Sequence, residues 1–215
     1  GDVIPEVVAV VPADGPRGEP FDLYRRLGGH CPICGATIVR EEDEVDWRCS
    51  GGISCPAQRK QAILHFAQRR ALDIEGLGER IVDQLVDGGV IKTLPDLYRL
   101  GVASLAELER MADKSAANLV AAIDKSKQTT LARFVYGLGI RHVGETTARV
   151  LARAYGSAEH FRDQMIAASH HAEEARNELN AIDGIGEVVA EAITQFFGEG
   201  HNIEVVNELL KQALA

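Results

Sequence analysis

The chain has 215 residues, 46% of them hydrophobic, and 23 Lys plus Arg stand against 32 Asp plus Glu, a formal net charge of −9. That length allows one or two packed domains, the acidity argues against a uniformly basic nucleic-acid coat, and without a run of ~18 apolar residues nothing reads as a membrane-spanning helix. There is no cationic, apolar leader and no initiator Met, so the opening Gly1-Asp2-Val3 reads as an excerpt from a longer protein. The charge is uneven: net −2 over residues 1–30, +1 over 31–70, −3 over 71–130, +2 over 131–160 and −7 over 161–215. Within 56–70 stand Arg59, Lys60, Arg69 and Arg70 with no acid at all. Local basic faces therefore remain open.

Val3–Val11 is strand-like. Cys31, Cys34, Cys49 and Cys55 follow, spaced C-x2-C-x14-C-x5-C, and residues 56–215 contain no further cysteine. Two disulfides of a secreted domain would spread their cysteines more widely. A redox C-x-x-C would want a βαβ setting, which is not readable here. The spacing points to a four-thiolate zinc site, closed to water and hence structural. Cys31-Pro32-Ile33-Cys34-Gly35 reads as a tight knuckle in which Gly35 takes the turn conformation. Thr37–Arg40 and Val45–Cys49 read as a short hairpin around the acidic tip Glu41-Glu42-Asp43-Glu44. His30, beside Cys31, is surplus to four ligands and reads as a loop residue. Trp47, the sole Trp, is expected to cover the site.

From Pro56 onward the pattern is helical, with a basic helix over 56–70. Ala116, Leu119, Val120 and Ile123, and Val189, Ile193, Phe196 and Phe197, form one-sided apolar stripes. Between helices a phrase recurs: Ile74-Glu75-Gly76-Leu77-Gly78-Glu79 and Ile182-Asp183-Gly184-Ile185-Gly186-Glu187, with looser copies Ile140-Arg141-His142-Val143-Gly144-Glu145 and Leu108-Glu109-Arg110-Met111-Ala112-Asp113. Four copies make an irregular repeat of one supersecondary unit. In Gly-apolar-Gly before a helix, the apolar residue packs inward and the backbone N–H groups face out at a helix N-terminus, where an anion is favoured. A phosphate fits there without any base being read. The plain alternative is a set of tight turns between helices. Lys114, matching Arg80 of the first copy, either supplies charge to the weakened second copy or is a solvated residue. Arg141 stands beside His142, positioned to meet a phosphate. The third glycine of a dinucleotide fingerprint is missing after Gly78. His65, His160, His170, His171 and His201 show no metal spacing and read as surface or satisfied residues.

The phrases Gly1-Asp2-Val3-Ile4-Pro5, Cys31-Pro32-Ile33-Cys34-Gly35, Arg48-Cys49, Cys55-Pro56-Ala57-Gln58, Arg69-Arg70-Ala71-Leu72-Asp73-Ile74, Lys114-Ser115-Ala116 and Gly139-Ile140-Arg141-His142-Val143-Gly144-Glu145 resemble the C-terminal half of bacterial NAD-dependent DNA ligases. The resemblance implies a mainly α chain: residues 1–13 as the last strand of an oligonucleotide-binding fold, 14–30 as a linker, 31–58 as a four-cysteine zinc finger, and 59–215 as a domain of four helix-hairpin-helix motifs. It implies structural Zn2+ on Cys31, Cys34, Cys49 and Cys55. It also implies sequence-independent contact with nicked duplex DNA through Gly76, Leu77, Gly78, Lys114, Arg141, Val143, Gly144, Gly184, Ile185 and Gly186. The family seals nicks during replication and repair by adenylating a lysine with NAD, passing AMP to the 5′-phosphate and joining the strand; it is cytoplasmic and uses Mg2+. The nucleophilic Lys-x-Asp-Gly is absent: Pro12, Leu85 and Ala181 stand two before the Asp of each Asp-Gly pair. The chain is therefore expected to hold DNA, bind neither NAD nor Mg2+, be inactive alone, and need adenylation and oligonucleotide-binding domains in cis. A stand-alone DNA-binding scaffold, or a protein-interaction module using the acidic 161–215 region, is the alternative.

Overall fold

The computed structural model describes residues 8–9, 18–40, 45–52 and 55–212. Two compact units, Gly1–Ser50 and Gly51–Ala215, make up the chain. The expected strand within 1–13 and the acidic tip 41–44 lie outside the described residues, apart from Val8 and Ala9.

In the first unit, Asp22 opens helix α1 (Leu23–Leu27) by accepting the Arg25 N–H at 3.1 Å, and Gly28 closes it in the left-handed region. Strand β1 (Ile38–Val39) pairs antiparallel with β2 (Arg48–Cys49), Ile38 opposite Cys49 and Val39 opposite Arg48. The expected hairpin is present but short. A longer strand needs an apolar face to bury; Ile38 is buried, whereas Val39 and Val45 face solvent. Trp47 stacks on Tyr24 with ring centroids 4.7 Å apart, and the Arg40 guanidinium sits 4.9 Å from its centroid. The tryptophan thus ties the α1 segment to the hairpin.

The second unit is helical. Its elements are α2 (Pro56–Ala67), α3 (Glu79–Asp87), a 3-10 helix (Leu94–Arg99), α4 (Val102–Ala106), α5 (Asp113–Ser126), α6 (Leu131–Gly137), α7 (Glu145–Tyr155), α8 (Ala158–Ser169), α9 (Glu173–Ala181), α10 (Glu187–Gly198) and α11 (Gly200–Gln212). Pro56 suits the first turn of α2, where its missing N–H costs nothing. The basic helix expected over 56–70 stops at Ala67, so Arg69 and Arg70 sit on a turn. The chain doubles back there: Leu72 N–H donates to the Phe66 carbonyl and Ile74 N–H to Ala67, burying Ala71, Leu72 and Ile74. Burying those side chains outweighs three further residues of solvated helix.

One core runs through this unit. Phe66, Phe134, Phe161 and Phe197 are fully buried in it, and Phe161 meets Phe197 edge-on at 5.7 Å. Helices α6 and α7 pack together, as do α2 and α3, and α8 takes both α9 and α10. The two sequence stripes supply Ala116, Leu119 and Ile123, and Ile193 and Phe197, to the interior, with Val120, Val189 and Phe196 half-buried beside them. Among the described residues no helix is long and apolar enough to cross a membrane.

Candidate nucleic-acid interface and metal centre

The four cysteine Sγ atoms lie within 4.8 Å of one another. A zinc ion with four thiolates at ~2.3 Å sets its sulfurs roughly 3.8 Å apart, so the cluster needs little adjustment to accept one. Cys34 Sγ and Cys49 Sγ are 3.4 Å apart, well beyond a bonded disulfide. Local structure builds the first pair. Gly35 turns left-handed and its N–H donates 2.9 Å to the Cys31 carbonyl. Backbone N–H groups of Ile33, then of Cys34, aim at the Cys31 sulfur and pull its thiol down to about 7. A thiol that favours its thiolate is the state a metal ligand requires. His30 is exposed and its Nδ1 lies 3.1 Å from the Gly35 carbonyl, so it buttresses the knuckle. The β1–β2 pairing brings Cys49 to the same place.

The four repeated phrases form one turn made four times. The N–H of Leu77, Met111, Val143 and Ile185 donates to the carbonyl three residues earlier, that of Ile74, Leu108, Ile140 and Ile182, at 3.0–3.4 Å. The residue before each donor has positive φ: Gly76 at 89°, Arg110 at 61°, His142 at 62° and Gly184 at 88°. Leu77, Val143 and Ile185 are buried and Met111 half-buried, so the middle residue anchors the loop inward. Gly78, Ala112, Gly144 and Gly186 are then the N-caps of α3, α5, α7 and α10, all extended and none with a side-chain cap. By contrast, Thr130 caps α6 and Ser157 caps α8 with their hydroxyls.

Nothing inside the protein demands glycine at three of these caps. Their φ values, −91°, −82° and −84°, suit any residue. A Cβ at Gly78, Gly144 or Gly186 would meet nothing within 4 Å. Ala112 occupies the same position in the second copy. The small residue therefore leaves room on the outer side, over N–H groups that lack partners at a helix start. Arg110 and His142 hold the left-handed conformation without glycine's freedom, at a cost of about 1 kcal/mol each. The second and third copies keep the loop geometry despite their divergent letters.

Of the residues singled out from sequence, Lys114 is exposed at the second position of α5 and Arg141 is half-buried beside His142. Two of the cations of 56–70, unopposed in sequence, are opposed in space. Lys60 pairs with Asp87 at 2.9 Å and Asp83 at 3.0 Å, and those carboxylates, Asp87 foremost, hold its ammonium above the usual value. Arg70 lies 3.6 Å from Glu145. Their partners come from α3 and α7, far along the chain.

Three positioning residues carried no sequence signal. Gln84 clasps the second loop, its Oε1 accepting from Glu109 N–H at 2.6 Å and its Nε2 donating to the Glu109 carbonyl at 3.4 Å. Arg133 donates to the carbonyls of Ala71 at 2.7 Å and Arg69 at 2.5 Å, fixing the turn ahead of the first loop. His65 Nε2 reaches the Tyr136 carbonyl at 2.7 Å while its Nδ1 faces the Gln68 amide at 2.8 Å, joining α2 to α6.

Residues 30–57 match the NAD-dependent DNA ligase C4 zinc finger domain. Residues 69–125 match a SAM-like helix-hairpin-helix tandem, and 133–206 a helix-hairpin-helix motif. The architecture is consistent with that of the zinc-finger and helix-hairpin-helix region of NAD-dependent DNA ligases. The matched spans divide the four hairpins into two pairs, Gly78 with Ala112 and Gly144 with Gly186, with α6 opening the second. Helix-hairpin-helix modules of this kind are associated with binding the DNA backbone.

Proposed function

We propose that this chain grips nicked duplex DNA, without reading sequence, for an NAD-dependent DNA ligase acting in replication and repair. The observation that carries the reading is the fourfold turn: an anchored loop, a small N-cap, with open space over the three that are glycine, and uncapped N–H groups at the start of a helix of nine or more residues. Phosphate oxygens accept from such N–H groups and gain from the helix dipole. Gly76 to Gly78, Val143 with Gly144, and Gly184 to Gly186 then meet phosphates through their backbone, while Lys114 and Arg141 add charge. Binding through N–H groups is compatible with a net charge of −9, because formal charge does not count them.

Cys31, Cys34, Cys49 and Cys55 would hold zinc in a closed shell, with no open position for catalysis. Bound zinc would supply structure rather than chemistry. Nucleotidyl transfer needs a lysine in Lys-x-Asp-Gly, which this sequence lacks. On this reading NAD and Mg2+ are used by other parts of the ligase, in the cytoplasm, and the chain alone does not seal nicks.

Gel-shift titration on nicked and intact duplex across a salt series tests the reading. Binding should be independent of sequence and fall steeply with salt. Gly78→Leu with Gly186→Leu, which crowd two open caps without disturbing the core, should weaken it at least ten-fold. Equal affinity of the double variant and the parent would refute the hairpin role.

A further inference from the structure

The guanidinium groups of Arg69 and Arg70 lie outside the core. Both are exposed on the turn between α2 and the first hairpin loop. Their backbone is fixed from behind, because Arg133 occupies the carbonyls of Arg69 and Ala71. Arg69 makes no ion pair among the described residues, and Arg70 has Glu145 at 3.6 Å, whose carboxylate also takes Arg149 at 3.1 Å. Arg69 lines two clefts. One, of about 710 Å3, also contains Asp73, Ile74, Glu75, Gly76, Leu77 and Gly78 at the first hairpin. The other, of about 700 Å3, is lined by Gln68, Arg69, Arg70, Arg133 and Glu145, and Glu145 is the first residue of the third hairpin's helix.

From this placement we propose that Arg69 and Arg70 form a phosphate seat of their own, bridging the first and third hairpins and therefore the two hairpin pairs. The inference rests on the DNA-binding reading above. Two guanidinium forks on a braced turn match phosphate geometry and can each engage two oxygens. Among the described residues, Glu145 is the one acid lining the second cleft. It pairs with Arg70 when no DNA is bound, and an incoming phosphate takes its place. An exposed pair of that kind is weak, so the exchange is easy. The hairpin caps contact phosphate through N–H groups and carry no formal charge, whereas this seat carries two. It should therefore contribute to salt dependence out of proportion to its size.

The test is fluorescence anisotropy of the chain on a labelled nicked duplex over a salt series, with the fold of each variant checked by circular dichroism. Arg69→Gln with Arg70→Gln should lower the slope of log affinity against log salt by about 1 to 2 and weaken binding roughly ten-fold or more. Lys127→Gln with Lys211→Gln removes equal charge from the ends of α5 and α11 and should change neither. Glu145→Gln should tighten binding several-fold, and only while Arg70 is present. An unchanged slope in the arginine variant, with Gly78→Leu plus Gly186→Leu still weakening binding, overturns the seat and leaves the hairpin reading intact. A parent chain that does not bind duplex at all overturns both.

Discussion

The two units are stabilised by different means. Among the described residues of the first, Ile38 and Cys31 are the buried hydrophobic side chains, and Phe21, Ile33 and Val45 are exposed. The second buries a continuous set of Leu, Ile, Val and Phe from Ile63 to Leu209. A segment of some tens of residues with so small an interior cannot offset its own ordering entropy by burial, and metal coordination at the four cysteines would supply the difference. The helical unit has a core sufficient for itself. Near-equal chain geometry at the hairpins follows from that: the loops are carried on a rigid packed base, and tolerate Arg110 and His142 where glycine would be expected.

The sharpest way to break this contrast is to remove the metal. Chelation of the zinc-loaded protein, or Cys34→Ser, should unfold the segment around residues 30–57, because small zinc modules are unfolded without metal. Trp47 is the sole Trp and lies in that segment, so its fluorescence should move to longer wavelength while the helical dichroism remains. Loss of both signals together would show that the helices also need the metal. The converse variant, Phe134→Ala, empties a fully buried site and should cost about 3–5 kcal/mol in the helical transition, with zinc content by mass spectrometry unchanged.

Smaller effects sharpen the account of the base. Gly137 lies in α6, where alanine would ordinarily be favoured by about 1 kcal/mol. Here a Cβ would come within 2.6 Å of Leu72 Cδ2 and 3.3 Å of Phe66 Cδ2. Gly137→Ala should therefore destabilise by roughly 1–3 kcal/mol in urea unfolding; a gain would mean the turn after α2 gives way freely. Smallest of all, His142→Gly relieves the left-handed strain in the third loop and should stabilise by at most about 1 kcal/mol, with duplex affinity kept. A loss of stability there would mean that the imidazole has a packing role.

Much of this was readable in the letters because it is local. The cysteine spacing announced a compact cluster, and the apolar stripes on α5 and α10 announced their inner faces. The recurring phrase announced its own turn, down to the copies whose glycines had been replaced. The helix stops at Ala67 and not at Arg70: residues 68–70 have helical composition, and only the burial of Leu72 and Ile74 turns the chain. Lys60 looked like a free cation until Asp83 and Asp87 were placed beside it. Gln84, Arg133 and His65 were invisible, since a long polar side chain that ends on a distant backbone carbonyl leaves no periodic mark.

What the sequence determined by itself was the pair of modules and the four hairpins, since both depend on contacts between residues a few positions apart. The tertiary structure alone decided which charges are held in ion pairs and which stay exposed. Lys60 is consumed across the α2–α3 contact, whereas Arg69 and Arg70 are held outward by Arg133 from more than sixty positions away. Charges neutralise one another by distance in space, and that distance is set by packing rather than by order along the chain.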